Sequence, residues 1–376
     1  MVNEKSIRCA ECGKEYNYRE IIFHCPSCGG CLDILYDYKK VKKSLDKREF
    51  LKQPINHWKY WMFYPVNPKN KISMNEGGTP LIKSKLFDNV WFKLEATNPT
   101  GSFKDRGSTV EVTKAMELGV KKVCCASTGN MGASVAAYCA RADIECKIFL
   151  PESTASNKVK QIMSYGTDIV RVRGDYVEAL KQCEEFAKKS HWYLMGDYTY
   201  RGEGEKSVGF EIADQMNWIV PNYVLAPMGN GTLIYAMWDA FQELQTMRLT
   251  DKLPRMIGFQ SEGCSPIVNA YKKNLKSVEP ANNPKTIATA IECGDPLDGK
   301  KALLALRNSE GFAESLTDNE ILEAQKLLAR EEGLFVESSG VVSVAGYLRV
   351  RKKLGGKIVC VLTGHGLKDI RNVGHN

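Results

Sequence analysis

No apolar stretch of this 376-residue chain reaches the length of a membrane span, and its opening Met1-Val2-Asn3-Glu4-Lys5-Ser6 lacks the apolar core of a secretory signal. Those absences argue against a membrane partner, and the chain is expected in the cytoplasm. A massed basic block is missing too: lysines and arginines are scattered, so the formal charge of +8 reads as a solvated surface rather than a nucleic-acid groove. Repeats and low-complexity segments are also absent. What remains is a globular chain, 43% hydrophobic, able to bury a full core in two domains plus a small appendage. Cysteine is not scarce. Of the 13, adjacent Cys124-Cys125 and the single Cys139, Cys146 and Cys360 lie in apolar runs and read as reduced core residues rather than disulfides.

Cys9-x-x-Cys12 and Cys25-x-x-Cys28, each followed by glycine, have zinc-ribbon spacing. Each turn brings two thiolates to one metal, and two such turns close a tetrahedral Zn2+ site with no open position for chemistry, so the expected role is structural. Cys31 is a possible substitute for Cys28, and His24 reads as a bystander. From about Leu35 to Asn75 the pattern is a charged helix followed by an aromatic connector around Trp58-Lys59-Tyr60-Trp61.

Beyond Glu76-Gly77-Gly78-Thr79-Pro80-Leu81, strands and helices alternate. Strands are expected over Val123–Ala126, Lys147–Leu150, Asp168–Val172, Tyr223–Ala226, Ile257–Gln260 and Ile358–Leu362. Helices are expected over Ala133–Arg141, Val159–Ser164, Tyr176–Lys189, Val208–Met216 and Leu233–Gln245. This alternation gives an α/β class with mostly parallel sheets.

The chemistry centres on Asn98-Pro99-Thr100-Gly101-Ser102-Phe103-Lys104-Asp105-Arg106-Gly107, which follows the strand-like Val90–Glu95. Ser102 is placed to cap a helix whose first turn holds Lys104. The positive helix end and nearby Arg106 should lower the amine's pKa, as a Schiff-base lysine requires. A lone lysine is ordinarily a solvated surface residue, and a glycine-rich turn ordinarily a tight connection. Here several such features coincide. Ser127-Thr128-Gly129-Asn130 offers a carboxylate cradle, and Met228-Gly229-Asn230-Gly231-Thr232 lets backbone N–H groups approach a phosphate. Thr363, after Ile358–Leu362, offers a neutral hydroxyl to a ring nitrogen. An aldehyde-bearing, phosphorylated ring cofactor fits all of them, which describes pyridoxal 5'-phosphate.

With Thr286-Ile287-Ala288-Thr289-Ala290-Ile291 and Leu362–Asp369 added, these motifs make the chain resemble the threonine synthase family of pyridoxal-phosphate enzymes, of tryptophan-synthase-β-like fold (fold type II). The resemblance implies two αβα domains preceded by a small zinc ribbon. The ribbon is expected over 1–45, the large cofactor-binding domain with its connector over 46–115 and 198–376, and the smaller αβα domain over 116–197. It also implies a homodimer, and a small, phosphorylated amino-acid substrate. Lys104 would be the catalytic, Schiff-base lysine. Asn130, Gly229, Asn230, Gly231, Thr232, Leu233 and Thr363 would hold the cofactor, and Ser127, Thr128 and Arg201 the substrate. O-Phospho-L-homoserine would give L-threonine and phosphate.

The chain departs from the family pattern at Met131, at Met195 and Gly196, and across Ser338, Ser339 and Gly340. Those departures leave open a paralogue acting by β-replacement or β-elimination on O-phosphoserine or a related amino acid. A non-catalytic zinc-ribbon binding protein is the remaining alternative.

Overall fold

Buried apolar runs separated by amphipathic helices give three sheets in the computed structural model, which describes residues 3–370. The strands are β1 (Glu4–Cys9), β2 (Glu15–Tyr16), β3 (Leu32–Tyr36), β4 (Leu81–Lys83), β5 (Val90–Leu94), β6 (Lys122–Ala126), β7 (Glu145–Pro151), β8 (Asp168–Val172), β9 (Tyr193–Met195), β10 (Tyr223–Pro227), β11 (Arg255–Ser261), β12 (Phe312–Leu316) and β13 (Ile358–Leu362). Every strand and helix expected from the alternation forms, most of them a residue or more longer at one end or both. The short β2, β4 and β9 carry too few residues to show a period.

The N-terminal sheet is antiparallel, in the order β2-β1-β3, with Cys9 opposite Leu32. Leu35 therefore lies in a strand. The expected charged helix starts later, at Tyr38, where the Asp37 carboxylate accepts from the Lys39 and Lys40 amides, and a second short helix, Lys47–Lys52, follows a similar cap at Asp46. The aromatic connector is a 3-10 segment, His57–Phe63, whose Tyr60 and Phe63 rings pack on Phe210.

Strands β6 to β9 make a parallel sheet in the order β8-β7-β6-β9. The larger sheet runs β12-β11-β10-β13-β5-β4, parallel except for β4. All five residues of β13 are buried, as a central parallel strand covered on both faces requires. Because β10, β13 and β5 are neighbours, the loops after Pro227, Leu362 and Leu94 emerge side by side. Ligands bind at such carboxyl ends in open α/β sheets.

Candidate active site

The helix carrying the central lysine runs Lys104–Glu117. Ser102 does not cap it: Phe103 is the capping residue, no side chain accepts the first amides, and the Ser102 hydroxyl is buried without a partner. Instead Asp105 ties the turn, accepting from the Thr100 amide at 2.7 Å and from the hydroxyls of Thr100 and Ser134 at 2.6 Å each. Burial pushes that carboxyl up to about 6.

Arg106 does not face Lys104 either. Its guanidinium turns to Glu95 and Glu211. The Lys104 ammonium lies 3.4 Å from Asp197 Oδ1 and 3.3 Å from Glu205 Oε1. Burial alone would depress the amine, but the two carboxylates outweigh it and the net shift is upward. This corrects the expected lowering: without a cofactor the lysine is a cation. Burial pushes Glu205 up to about 7, and its Oε2 has no partner. Burial also raises Asp197, yet Lys104 and Arg201 hold that carboxyl below its ordinary value.

One partly open cleft, of about 730 Å³ including its mouth, brings together Lys104, Ser127, Thr128, Asn130, Gly229, Asn230, Gly231, Thr232, Leu233 and Thr363. Ser127 Oγ accepts the amides of Gly129 at 2.9 Å and Gly132 at 2.7 Å, so its own proton is free for an acceptor in the cleft. Asn130 donates from Nδ2 to Glu337, and its buried Oδ1 has no partner. Gly231 has φ +92°, and a Cβ there would stand 2.8 Å from Ala302 Cβ and 2.9 Å from the Asp298 carbonyl. The helix that follows, Thr232–Thr246, has no side-chain cap, leaving its first amides for an anion.

Three features fit pyridoxal phosphate: an amine for the aldehyde, a glycine-shaped cradle at an uncapped helix start for the phosphate, and an orphaned amide oxygen on a residue lining the same cleft. Thr363 lines the cleft, and its carbonyl accepts the Phe103 amide at 3.0 Å. His365 caps its own turn, Nδ1 accepting from the Leu367 amide at 3.1 Å.

Arg201 is not at the cleft surface. It is fully buried, ion-paired to Glu111 at 2.7 Å, and donates to the Lys104 carbonyl at 3.2 Å and Ser108 Oγ at 3.1 Å. Lys206 is likewise enclosed by Glu203 and Glu243. Arg201 does not line the cleft; its Nη1 and Nη2 hold Glu111, Ser108 and the Lys104 carbonyl, while its buried Nε has no partner. Among the described residues Lys104 is the one cation lining the cleft.

Asp197, Tyr176, Glu337 and Ser339, which the motifs did not single out as ligands, do line it. Asp197 and Glu205 lie 93 and 101 positions from Lys104, and no local spacing could have revealed them. Of the departures, Met131 lines the cleft, while Met195 is buried in β9 and the Gly196 amide donates to Glu111 at 2.8 Å. Ser339 Oγ accepts the Ala290 amide at 2.9 Å and Ser338 donates to the Ile287 carbonyl at 2.9 Å, fastening the Thr286–Ile291 motif. A Cβ on Gly340 would meet the Gly364 amide at 3.0 Å.

The sulfurs of Cys9, Cys12, Cys25 and Cys28 lie within 4.8 Å of one another, Cys9–Cys28 at 3.5 Å and Cys12–Cys25 at 3.7 Å. Gly13 and Gly29, at φ +75° and +74°, close the two turns through amides that return to the Cys9 and Cys25 carbonyls. Cys31 lies outside the cluster, and His24 pairs with Glu184 at 3.1 Å. The four sulfurs are close enough together to ligate a single metal ion.

Residues 72–364 match the family described as "pyridoxal-phosphate dependent enzyme". The chain is 46% identical over 96% of its length to the threonine synthase of Methanocaldococcus jannaschii, covering 92% of that protein. It is 43% identical over 98% to that of Methanosarcina acetivorans, covering 93%. Among solved structures, maize serine racemase superposes with a TM-score of 0.67 at 21% identity, over 77% of this chain and 88% of that one. Threonine deaminase isoform 2 of Solanum lycopersicum gives 0.66 at 21% identity, over 92% and 93%. At that identity the two structures establish the fold alone. The chain is therefore a pyridoxal-phosphate-dependent enzyme and belongs to the threonine synthase family.

Proposed function

We propose that this enzyme converts O-phospho-L-homoserine and water to L-threonine and phosphate, with Lys104 as the catalytic lysine. The observation that carries the reading is the convergence of Lys104, the Ser127–Asn130 loop, the Gly229–Leu233 loop and Thr363 on one cleft, in a chain that matches threonine synthases along its length. Pyridoxal phosphate, when bound, supplies an electron sink for charge developing on the substrate's carbons.

The protein's own residues do the rest. Lys104 Nζ would hold the cofactor's aldehyde carbon and, once released, carry protons between neighbouring substrate carbons. Glu205, beside that amine, is placed to hold the proton it must lose. Gly229, Asn230, Gly231, Thr232 and Leu233 would hold the cofactor's phosphate, Asn130 its phenolic oxygen and Thr363 its ring nitrogen. Ser127 and Thr128 would orient the substrate carboxylate at the start of the helix Asn130–Arg141. A neutral threonine leaves the ring nitrogen unprotonated, which an aspartate there would not.

Phosphate release coupled to threonine formation from O-phospho-L-homoserine tests the assignment. Turnover confined to O-phosphoserine with sulfite or sulfide would overturn it in favour of β-replacement. Gly231→Ala provides a narrower check. Its Cβ meets Asp298 and Ala302, and the left-handed backbone adds strain of about 1–3 kcal/mol. The cofactor's Kd should rise roughly 5- to 150-fold, whereas an unchanged Kd would remove the loop from the phosphate site.

The ribbon metal is read as structural zinc. A tetrahedral ion with sulfurs at about 2.3 Å sets them about 3.8 Å apart, close to the observed 3.5 and 3.7 Å. Residues 116–197, which contain β6 to β9, are proposed as the smaller domain. The family resemblance carries with it a homodimer in the cytoplasm.

A further inference from the structure

We infer that Lys301 is a positioning residue that couples the four-cysteine ribbon to the loop Gly229–Leu233, so that metal and cofactor bind with positive cooperativity. The inference rests on the reading of that loop as the cofactor's phosphate site.

Lys301 lies on the helix Gly299–Asn308 and is 6% exposed. Its ammonium donates to the Leu32 carbonyl at 2.7 Å and pairs with Asp33 at 2.8 Å and Asp298 at 3.3 Å. Leu32 and Asp33 begin β3 of the ribbon, and Leu32 stands opposite the metal-site residue Cys9. On the other side, Asp298 donates its amide to the Asn230 carbonyl at 3.1 Å, and the Leu297 amide reaches Asn230 Oδ1 at 3.1 Å. The Asp298 carbonyl also walls in Gly231. One buried cation thus sits between the ribbon and the segment that shapes the loop.

Two further contacts run in parallel. Tyr235, on the helix that opens at Thr232, donates to Asp33 Oδ2 at 3.0 Å. Lys300 pairs at 2.5 Å with Glu11, inside the first cysteine turn.

A small metal ribbon holds its fold through its ion. If the ribbon loosens, Lys301 loses Asp33 and the Leu32 carbonyl together, and a buried ammonium left with one counter-charge turns toward water or drags Asp298 with it. Either movement releases Asn230 and Gly231. No atom of the ribbon needs to touch the cofactor.

The test uses the full chain, titrated with pyridoxal phosphate by absorbance, zinc-loaded and after chelation. A coupling of ordinary size raises the cofactor's Kd about 5- to 150-fold on metal removal, and linkage requires the cofactor to tighten zinc by the same factor in a chelator competition. In Lys301→Met, and independently in Asp33→Asn, the cofactor's Kd should lose most of its dependence on zinc. An affinity in the wild-type chain that ignores zinc overturns the inference. So does a zinc dependence that survives in both variants, which would mark the ribbon as general scaffolding. A zinc-loaded wild-type chain that binds no pyridoxal phosphate instead refutes the reading of the cleft itself, a result distinct from either of the other two.

Discussion

Lys104→Ala is expected to abolish the visible absorbance of the cofactor-loaded enzyme and to lower kcat by about 10²- to 10⁴-fold or more, the range a positioned proton-transfer group contributes. The Lys104 side chain is 16% exposed, and its amine lies within 3.4 Å of two carboxylates at the cleft that also holds the two glycine-bearing loops. Removing it leaves Asp197 and Glu205 facing each other without the charge that separates them, so the cleft also loses its one lining cation. Borohydride reduction followed by peptide mass analysis reads the attachment directly. The wild-type label should lie on the peptide containing Lys104, and a label elsewhere, or an absorbance that survives the substitution, ends the assignment.

Arg106→Met should produce the largest loss of stability, about 3–5 kcal/mol, because it strands buried charge. Arg106 donates to both oxygens of Glu95, at 2.6 and 2.7 Å, and to both oxygens of Glu211, at 2.7 and 2.8 Å. Lys93 completes the cluster at 2.6 Å from Glu211, and the side chains of all four are fully buried. Two cations balance two anions; without Arg106 one buried carboxylate has no counter-charge. The urea midpoint of the cofactor-free chain measures this, and a shift worth under about 1 kcal/mol would show the cluster to be far less coupled than its geometry. Arg106→Lys should recover little, since a single ammonium cannot grip two carboxylates side by side.

This cluster explains why some motifs were legible without their purpose being so. The motif Glu76-Gly77-Gly78-Thr79 marks where the strand–helix alternation begins, and in the structure its Gly78 and Thr79 close the cluster. The Gly78 amide donates to Glu211 at 2.8 Å, Thr79 Oγ1 donates to Glu95 at 2.6 Å, and both glycines sit at positive φ. Arg106 looked like a neighbour that would depress Lys104 because it is two positions away. Two positions along a helix is slightly more than a half-turn, so the side chains diverge. Arg201 shows the converse: its motif suits a phosphate ligand, but its place beneath the cleft wall, paired with Glu111, is set by residues far along the chain.

The sequence by itself determined the strands and helices of the α/β body, the four ribbon cysteines, and the loops that meet at Lys104. Each depends on period, turn chemistry or spacing within a few residues, and such signals are local. Tertiary structure alone decided the lysine's charge state, the burial of Arg201, the placement of Asp197 and Glu205 beside Lys104, and the contacts of Lys301. Those depend on which distant carboxylates share a buried volume. Coulomb energy in such a volume follows separation in space and exclusion of water, neither of which is written along the chain.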